Sequence, residues 1–265
     1  MCKTISVISC KGGVGKTTTA VNIGAYMQTQ GKRVCAVDLD PQHNLSRHFG
    51  ILPGQLQNRA TVYDLINAEI NGCEDSEIEE IVRSSIYPTT TADVIPSTVR
   101  LSSLETVLPM AINRERLLKN ALTCIQKDYD YILLDCRPGL DMFAINALTA
   151  SDSVIIPVEA HILSSDGLEQ VEKILRTVQR SLNPDLKIEG VLITKYQGRT
   201  NCCREIRNLV LRSFGDHIRI FDSCINYAIS VAEAPAFGIS LHEYAPGTQA
   251  ARAYSSVAEE VMQSA

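Results

Sequence analysis

Nowhere in its 265 residues does the chain carry a run of about 18 apolar residues, so no segment reads as membrane-spanning. A secretory leader is missing too: Met1-Cys2-Lys3-Thr4 runs straight into an apolar strand, which predicts a cytoplasmic location. The nine cysteines lack metal-site spacing. Their number is odd, so they cannot all pair within one chain, and the one close pair, Cys202-Cys203, is adjacent rather than spaced as zinc ligands are. In a reducing compartment they read as small buried hydrophobes. Positive charge is also short. A net charge of −5 argues, taken globally, against nucleic-acid binding, but the sign is unevenly spread. Glu74-Asp75-Ser76-Glu77-Ile78-Glu79-Glu80 is acidic, whereas between Lys195 and Arg219 six cations (Lys195, Arg199, Arg204, Arg207, Arg212, Arg219) face only Glu205 and Asp216.

What the chain does have is enough apolar residue, 45% against 21% charged, for a sizeable globular core. It also has one strong motif. Lys11-Gly12-Gly13-Val14-Gly15-Lys16-Thr17-Thr18 follows an apolar strand, Ile5 to Ile8, and precedes a helix-like face over Thr19 to Gln30. Strand, glycine-rich loop and helix in that order form a phosphate-binding loop. The glycines let backbone N–H groups close on a phosphate chain, and the helix N-terminus adds partial positive charge. Lys16 is placed for the β- and γ-phosphates, Thr17 for Mg²⁺.

The rest of the chain alternates strand and helix. Lys32 to Val37 predicts a strand with Asp38-Leu39-Asp40-Pro41-Gln42 at its carboxyl end, beside the loop. Asp40 reads as a functional carboxylate, and Asp38 as a weaker candidate for which a backbone turn role is the alternative. Between Gly50 and Arg100 the pattern weakens to short helices over Thr61 to Glu69 and Glu77 to Arg83 and a strand over Thr91 to Ile95. Ile112 to Lys127 predicts an amphipathic helix, and Tyr129 to Asp135 a buried strand ending in a Mg²⁺-binding aspartate. Asp141 suits a helix N-cap. A strand over Ser153 to Val158, a helix over Ser164 to Ser181 and a strand over Leu186 to Thr194 follow. Lys195 then stands either beside a nucleobase or as a solvated strand-end lysine. Thr200 to Phe214 predicts a helix with Ile206, Leu209, Val210 and Leu211 on its apolar side. Arg204 and Arg207 project from one face of it, as a binding surface or an ordinary solvated one. The terminal helix, Thr248 to Gln263, reads as neither basic nor strongly amphipathic, which argues against stable membrane association.

The run from Lys11 to Thr18 resembles the deviant Walker A loop of the ParA/MinD family of ATPases, and the likeness extends over nearly the whole chain. It implies an α/β P-loop NTPase fold, a doubly wound, mostly parallel sheet with helices on both faces, as one domain over residues 1–265. ATP and Mg²⁺ are the implied cofactors. In the family the first lysine reaches the phosphates held by the other subunit, so Lys11 implies an ATP-sandwich homodimer. Asp40 matches the switch I aspartate that orients the attacking water near Mg²⁺, and Asp135 the metal-binding aspartate. The implied activity is slow ATP hydrolysis stimulated by a ParB-like centromere-binding partner. Arg199, Arg204 and Arg207 grip non-specific DNA in that reading, giving a nucleoid-associated partition protein for plasmid, chromosome or mobile-element DNA. Three departures stand out. Arg137 and Gly139 replace a proline and a serine usual in switch II, the Val231-Ala232-Glu233-Ala234-Pro235 stretch has alanine for serine, and Cys224-Ile225-Asn226-Tyr227 lacks the usual arginine. The alternatives are a related ATPase positioning a protein or membrane cargo, or a metabolic or iron–sulfur reductase enzyme with Cys136 as the candidate ligand.

Overall fold

The computed structural model describes residues 2–160, 164–198, 201–215 and 218–264, and for 164–166, 201 and 202 the backbone alone. In chain order the elements are β1 (Lys3–Val7), α1 (Lys16–Thr29), β2 (Val34–Leu39), α2 (Asn44–His48), α3 (Val62–Asn71), α4 (Asp75–Ser85), β3 (Asp93–Ile95), α5 (Leu117–Thr123) and β4 (Tyr131–Cys136). They continue with α6 (Met142–Ala150), β5 (Ser153–Glu159), α7 (Ser164–Ser181), β6 (Lys187–Thr194), α8 (Asn201–Phe214), α9 (Ile229–Phe237), α10 (Leu241–Tyr244) and α11 (Gln249–Gln263). The strands form one sheet in the order β3-β2-β4-β1-β5-β6, and every neighbouring pair is parallel.

Strand residues point alternately to the two faces, and both faces are covered, as a parallel sheet requires. Val34 and Ala36 of β2 join Ile5, Val7 and Leu133 beneath α1 and α11. Cys35, Val37 and Leu39 of the same strand join Ile132 and Leu134 beneath α3 and α5. A third cluster packs β5 against α6, α7 and α8. From β1 the chain runs to β2 and β3 on one side. It then returns through β4 and passes to β5 and β6 on the other, so the crevice where the order reverses opens above β1 and β4.

Several elements differ from their sequence pattern. Helix α1 begins at Lys16, inside the phosphate-loop motif rather than after it. The predicted helix over Ile112 to Lys127 shrinks to α5. Asn146 of α6 takes the carbonyl of Arg114 at 2.6 Å and bonds the N–H of Leu118 at 3.2 Å, fixing the start of the helix, while Asn113 before it is left-handed with φ 52°. In α8 the buried face is Cys203, Ile206, Val210 and Phe214, and Leu209 is exposed. The terminal helix α11 is amphipathic after all: Ala250, Ala251, Tyr254, Val257, Ala258 and Val261 are buried, but against α1, so the apolar face belongs to the core. Tyr254, 1% exposed, is among the largest side chains in that interface. Tyr254→Ala should cost about 3 kcal/mol by cavity formation, read as a lowered urea midpoint; a loss below about 1 kcal/mol would show α11 to be peripheral.

Candidate functional site

The loop after β1 turns on two glycines, Gly13 at φ 74° and Gly15 at φ 90°, a region closed to most side chains. Gly15 caps α1, so the first-turn N–H groups of that helix face the crevice. Thr194 at the end of β6 donates its hydroxyl to the Val14 carbonyl at 2.8 Å, which ties the loop to the far side of the sheet. Lys16 is buried, and its Nζ donates to the Lys11 carbonyl at 3.2 Å. Burial lowers its pKa, while the neighbouring acids, Asp135 foremost, pull the other way.

Those acids lie at the carboxyl ends of β4, which neighbours β1, and of β2, the next strand out. Asp135 of β4 is fully buried, and its Oδ2 accepts the Thr17 hydroxyl at 2.7 Å. Its Oδ1 has no hydrogen-bond partner among the described residues. Burial and the repulsion of Asp38 raise its pKa well above the ordinary carboxylate range, with the Thr17 bond and Lys16 opposing. Asp38 sits in register with Asp135. Of the two readings open for it, the structure gives a fully buried strand residue rather than a turn residue. Its Oδ1 accepts the Asp40 N–H at 3.1 Å, and its Oδ2 accepts the N–H and hydroxyl of Ser46 at 2.9 and 2.7 Å. Burial pushes its pKa up to about 6. Asp40, 8% exposed at the cleft, accepts the Gln42 N–H at 2.9 Å.

A hard cation fits here. Thr17, Asp135 and Asp40 offer oxygen ligands only, and Asp135 Oδ1 is a buried oxygen with no hydrogen-bond partner among the described residues. Among the described residues no group of three or more His, Cys, Asp or Glu side chains could hold a metal by itself. This is the Mg²⁺ pattern, with one or two carboxylates and the rest supplied by phosphate and water. Cys136 does not suit a cluster: it is buried beside Phe143, and burial drives its thiol pKa upward.

Two clefts meet over the loop. One, of about 510 Å³, is lined by Lys16, Thr17, Asp40, Arg47, His48 and Pro138 among others. The other, of about 180 Å³, lies between Thr18, Thr194 and Lys195 on one side and Asn226, Tyr227 and Val231 on the other. Lys195 takes a left-handed backbone, φ 50°, and brings its Nζ close to Gly13. Sequence reasoning missed Glu159, the last residue of β5. Its carboxylate pairs with Lys11 at 3.7 Å and with Lys195 at 3.6 Å, so one anion spans the lysine before the loop and the lysine after β6. A polar residue at the carboxyl end of a strand flanking β1 was the available signal.

Of the candidate DNA-binding residues, Arg204 is exposed on α8, Arg207 is half-buried and bonded to Cys224, and Arg199 lies outside the described residues. In switch II, Gly139 adopts φ 117°, a conformation that favours glycine, so glycine suits the turn where serine is usual. Arg137 pairs with Glu105 and Asp141, and Asp141 caps α6 by accepting from Phe143 and Ala144 at 3.1 Å.

The raised carboxyl of Asp38 has a stability consequence. Between its ordinary value of 3.8 and about 6 the folded state holds the proton more tightly than the unfolded chain, so its contribution falls as pH rises through that window. In chelator without nucleotide, the melting temperature of Asp38→Asn should decline less from pH 4 to pH 7 than that of the natural chain. Parallel curves would contradict the assignment.

Comparison with known proteins agrees with this geometry. A family profile described as an AAA domain matches residues 2–188. The sporulation initiation inhibitor protein Soj of Bacillus subtilis is 40% identical over 261 residues, covering 98% of both chains. The chromosome partitioning protein ParA of Caulobacter vibrioides is 35% identical, covering 98% of this chain and 94% of its own. Among solved structures, cobyrinic acid a,c-diamide synthase from Mycobacterium smegmatis with ADP and magnesium superposes with a TM-score of 0.82 at 30% identity, over 99% of this chain and 95% of that one. With the phosphate loop, the buried acids and these relatives together, the chain belongs to the ParA/MinD family of P-loop ATPases.

Proposed function

We propose that the chain is a ParA-like partition ATPase that pairs over ATP, binds DNA without reading sequence and releases it on partner-stimulated hydrolysis. The observation that supports this most is Lys11. It stands half-exposed at the rim of the crevice, outside the loop it precedes, tethered by one ion pair to Glu159. A lysine so placed can leave Glu159 for a stronger anion, and a triphosphate on a second copy is one.

Within each subunit, backbone N–H groups of Gly12 to Thr18 cradle the phosphates and Lys16 contacts the β- and γ-oxygens. Thr17 and Asp135 hold Mg²⁺, which neutralises charge on the phosphates, and Asp40 orients the attacking water. Lys195 and Tyr227 flank the smaller cleft, which suits the adenine. Lys11 of each subunit closes on the other's nucleotide. Arg204 and Arg207, with Arg199, then meet across the pair as a basic surface for DNA phosphates. A ParB-like partner bound to centromere DNA stimulates hydrolysis, and the pair opens. Two of the relatives named above are partitioning or sporulation proteins matching this chain end to end, which favours the partition reading over the amide-forming one suggested by the structural likeness to the diamide synthase.

Binding to a random-sequence duplex should appear with Mg²⁺·ATP and not with Mg²⁺·ADP, and should fall steeply between low and moderate salt. Replacing Arg204 and Arg207 by alanine should reduce the logarithmic salt slope by about 0.9 for every DNA phosphate that the pair ceases to neutralise. Binding indifferent to nucleotide, or none at low salt, would count against the proposal and favour a protein- or membrane-cargo ATPase.

A further inference from the structure

Helix α2 ties three parts of the site together within five residues. Ser46 is bonded by backbone and hydroxyl to Asp38, the neighbour of Asp135. His48 is buried, 2% exposed, with a hydrogen bond to the Ile239 backbone just beyond α9. Between these two anchors, Arg47 is exposed on the wall of the larger cleft, with Asn44 three residues before it on the same side. Its guanidinium makes no ion pair or hydrogen bond with any described residue. It is a cation on the wall of a cleft whose other walls carry Lys16, Thr17 and Asp40.

The neighbouring groups narrow what Arg47 can meet. His48 lines the same wall, but burial holds it neutral with a pKa of about 4, so it supplies no charge. Pro235 and Ala236 complete that side. Arg47 is the one cation there among the described residues. It also lies on the β2 side of the crevice, whereas Lys11 and Lys195 converge on Glu159 at the β5 end. A triphosphate on the loop would thus have positive charge available on both flanks. Arginine suits a terminal phosphate because its planar fork makes two charge-assisted bonds at once.

We infer that Arg47 is a positioning residue for the terminal phosphate, contacting the γ-phosphoryl oxygens from its own chain and drawing α2 onto the nucleotide. This rests on the ATPase reading above and extends it. Because Ser46 is fixed to Asp38, a pull on Arg47 is felt at the metal-binding strand ends and, through His48, at α9. Helix α2 is thereby a sensor that separates ATP from ADP without help from a second subunit.

The test compares Mg²⁺·AMPPNP and Mg²⁺·ADP affinities by calorimetry in a Lys11→Ala background, so that pairing of chains does not enter. Arg47→Gln should weaken AMPPNP binding about tenfold and ADP binding less than twofold. Arg47→Lys should recover part of the loss, and the melting temperature without nucleotide should be unchanged. Equal weakening of both nucleotides, or no weakening of either, would overturn the role of Arg47 while leaving the ATPase reading intact. Failure of the Lys11→Ala parent and the natural chain to bind either nucleotide would overturn both.

Discussion

The distribution of charge around the phosphate loop governs the rest of the structure. Asp38, Asp40 and Asp135 crowd the ends of β2 and β4, and Lys16 is the one buried cation among the described residues lining that crevice. Two carboxyls respond by holding protons above their ordinary range, Asp38 to about 6 and Asp135 well beyond its usual value. Like charges in a water-poor site cannot all ionise without compensation. In the proposed reading a divalent cation with a triphosphate would rearrange that balance: the metal would take carboxylates, and the phosphates would draw Lys16 and whatever other cations can reach them.

Two of those cations are bound elsewhere in the isolated chain. Lys11 and Lys195 share Glu159, and the ion pairs of 3.7 and 3.6 Å are long and partly solvated, worth little individually. Such a pairing orders the lysines without committing them. The same carboxylate therefore links the residue expected to cross between subunits to the residue beside the smaller cleft. On the opposite flank, the Asp38–Ser46 bonds fix α2 to the strand end in register with Asp135. Ion pairs on one flank and hydrogen bonds on the other thus tie residues beside the loop to both edges of the crevice, an arrangement that the proposed nucleotide-dependent switch would use.

Much of this was legible in the sequence. The loop, its lysines and Thr17, the aspartate ending β4 and the alternation of strands with helices all rest on local rules, and the long helix over Ser164–Ser181 agrees to the residue. The illegible parts depend on partners distant in sequence. Asp38 was the weaker of the two carboxylate candidates because nothing local reveals that Ser46 will cap its carboxylate. The helix expected from Ile112 is cut short by Asn146, more than thirty residues away, and Met110 and Ile112, apolar in pattern, are almost fully exposed. Helix α11 looked weakly amphipathic because half of its buried side is alanine, whose small surface barely registers in a pattern but lets α1 approach closely. Glu159 carried no motif; only the order of strands in the sheet places it beside Lys11.

The account stands on Lys11 exchanging the carboxylate of its own chain for the phosphates of another. A crystal structure of the chain with Mg²⁺ and a non-hydrolysable ATP analogue tests this most directly, through the position of the Lys11 Nζ. The account predicts two subunits face to face, with each Lys11 Nζ within hydrogen-bond distance of phosphate oxygens on the nucleotide of the other and Glu159 released from it. A closed, triphosphate-loaded pair in which Lys11 still rests on Glu159, or points to solvent, would contradict it.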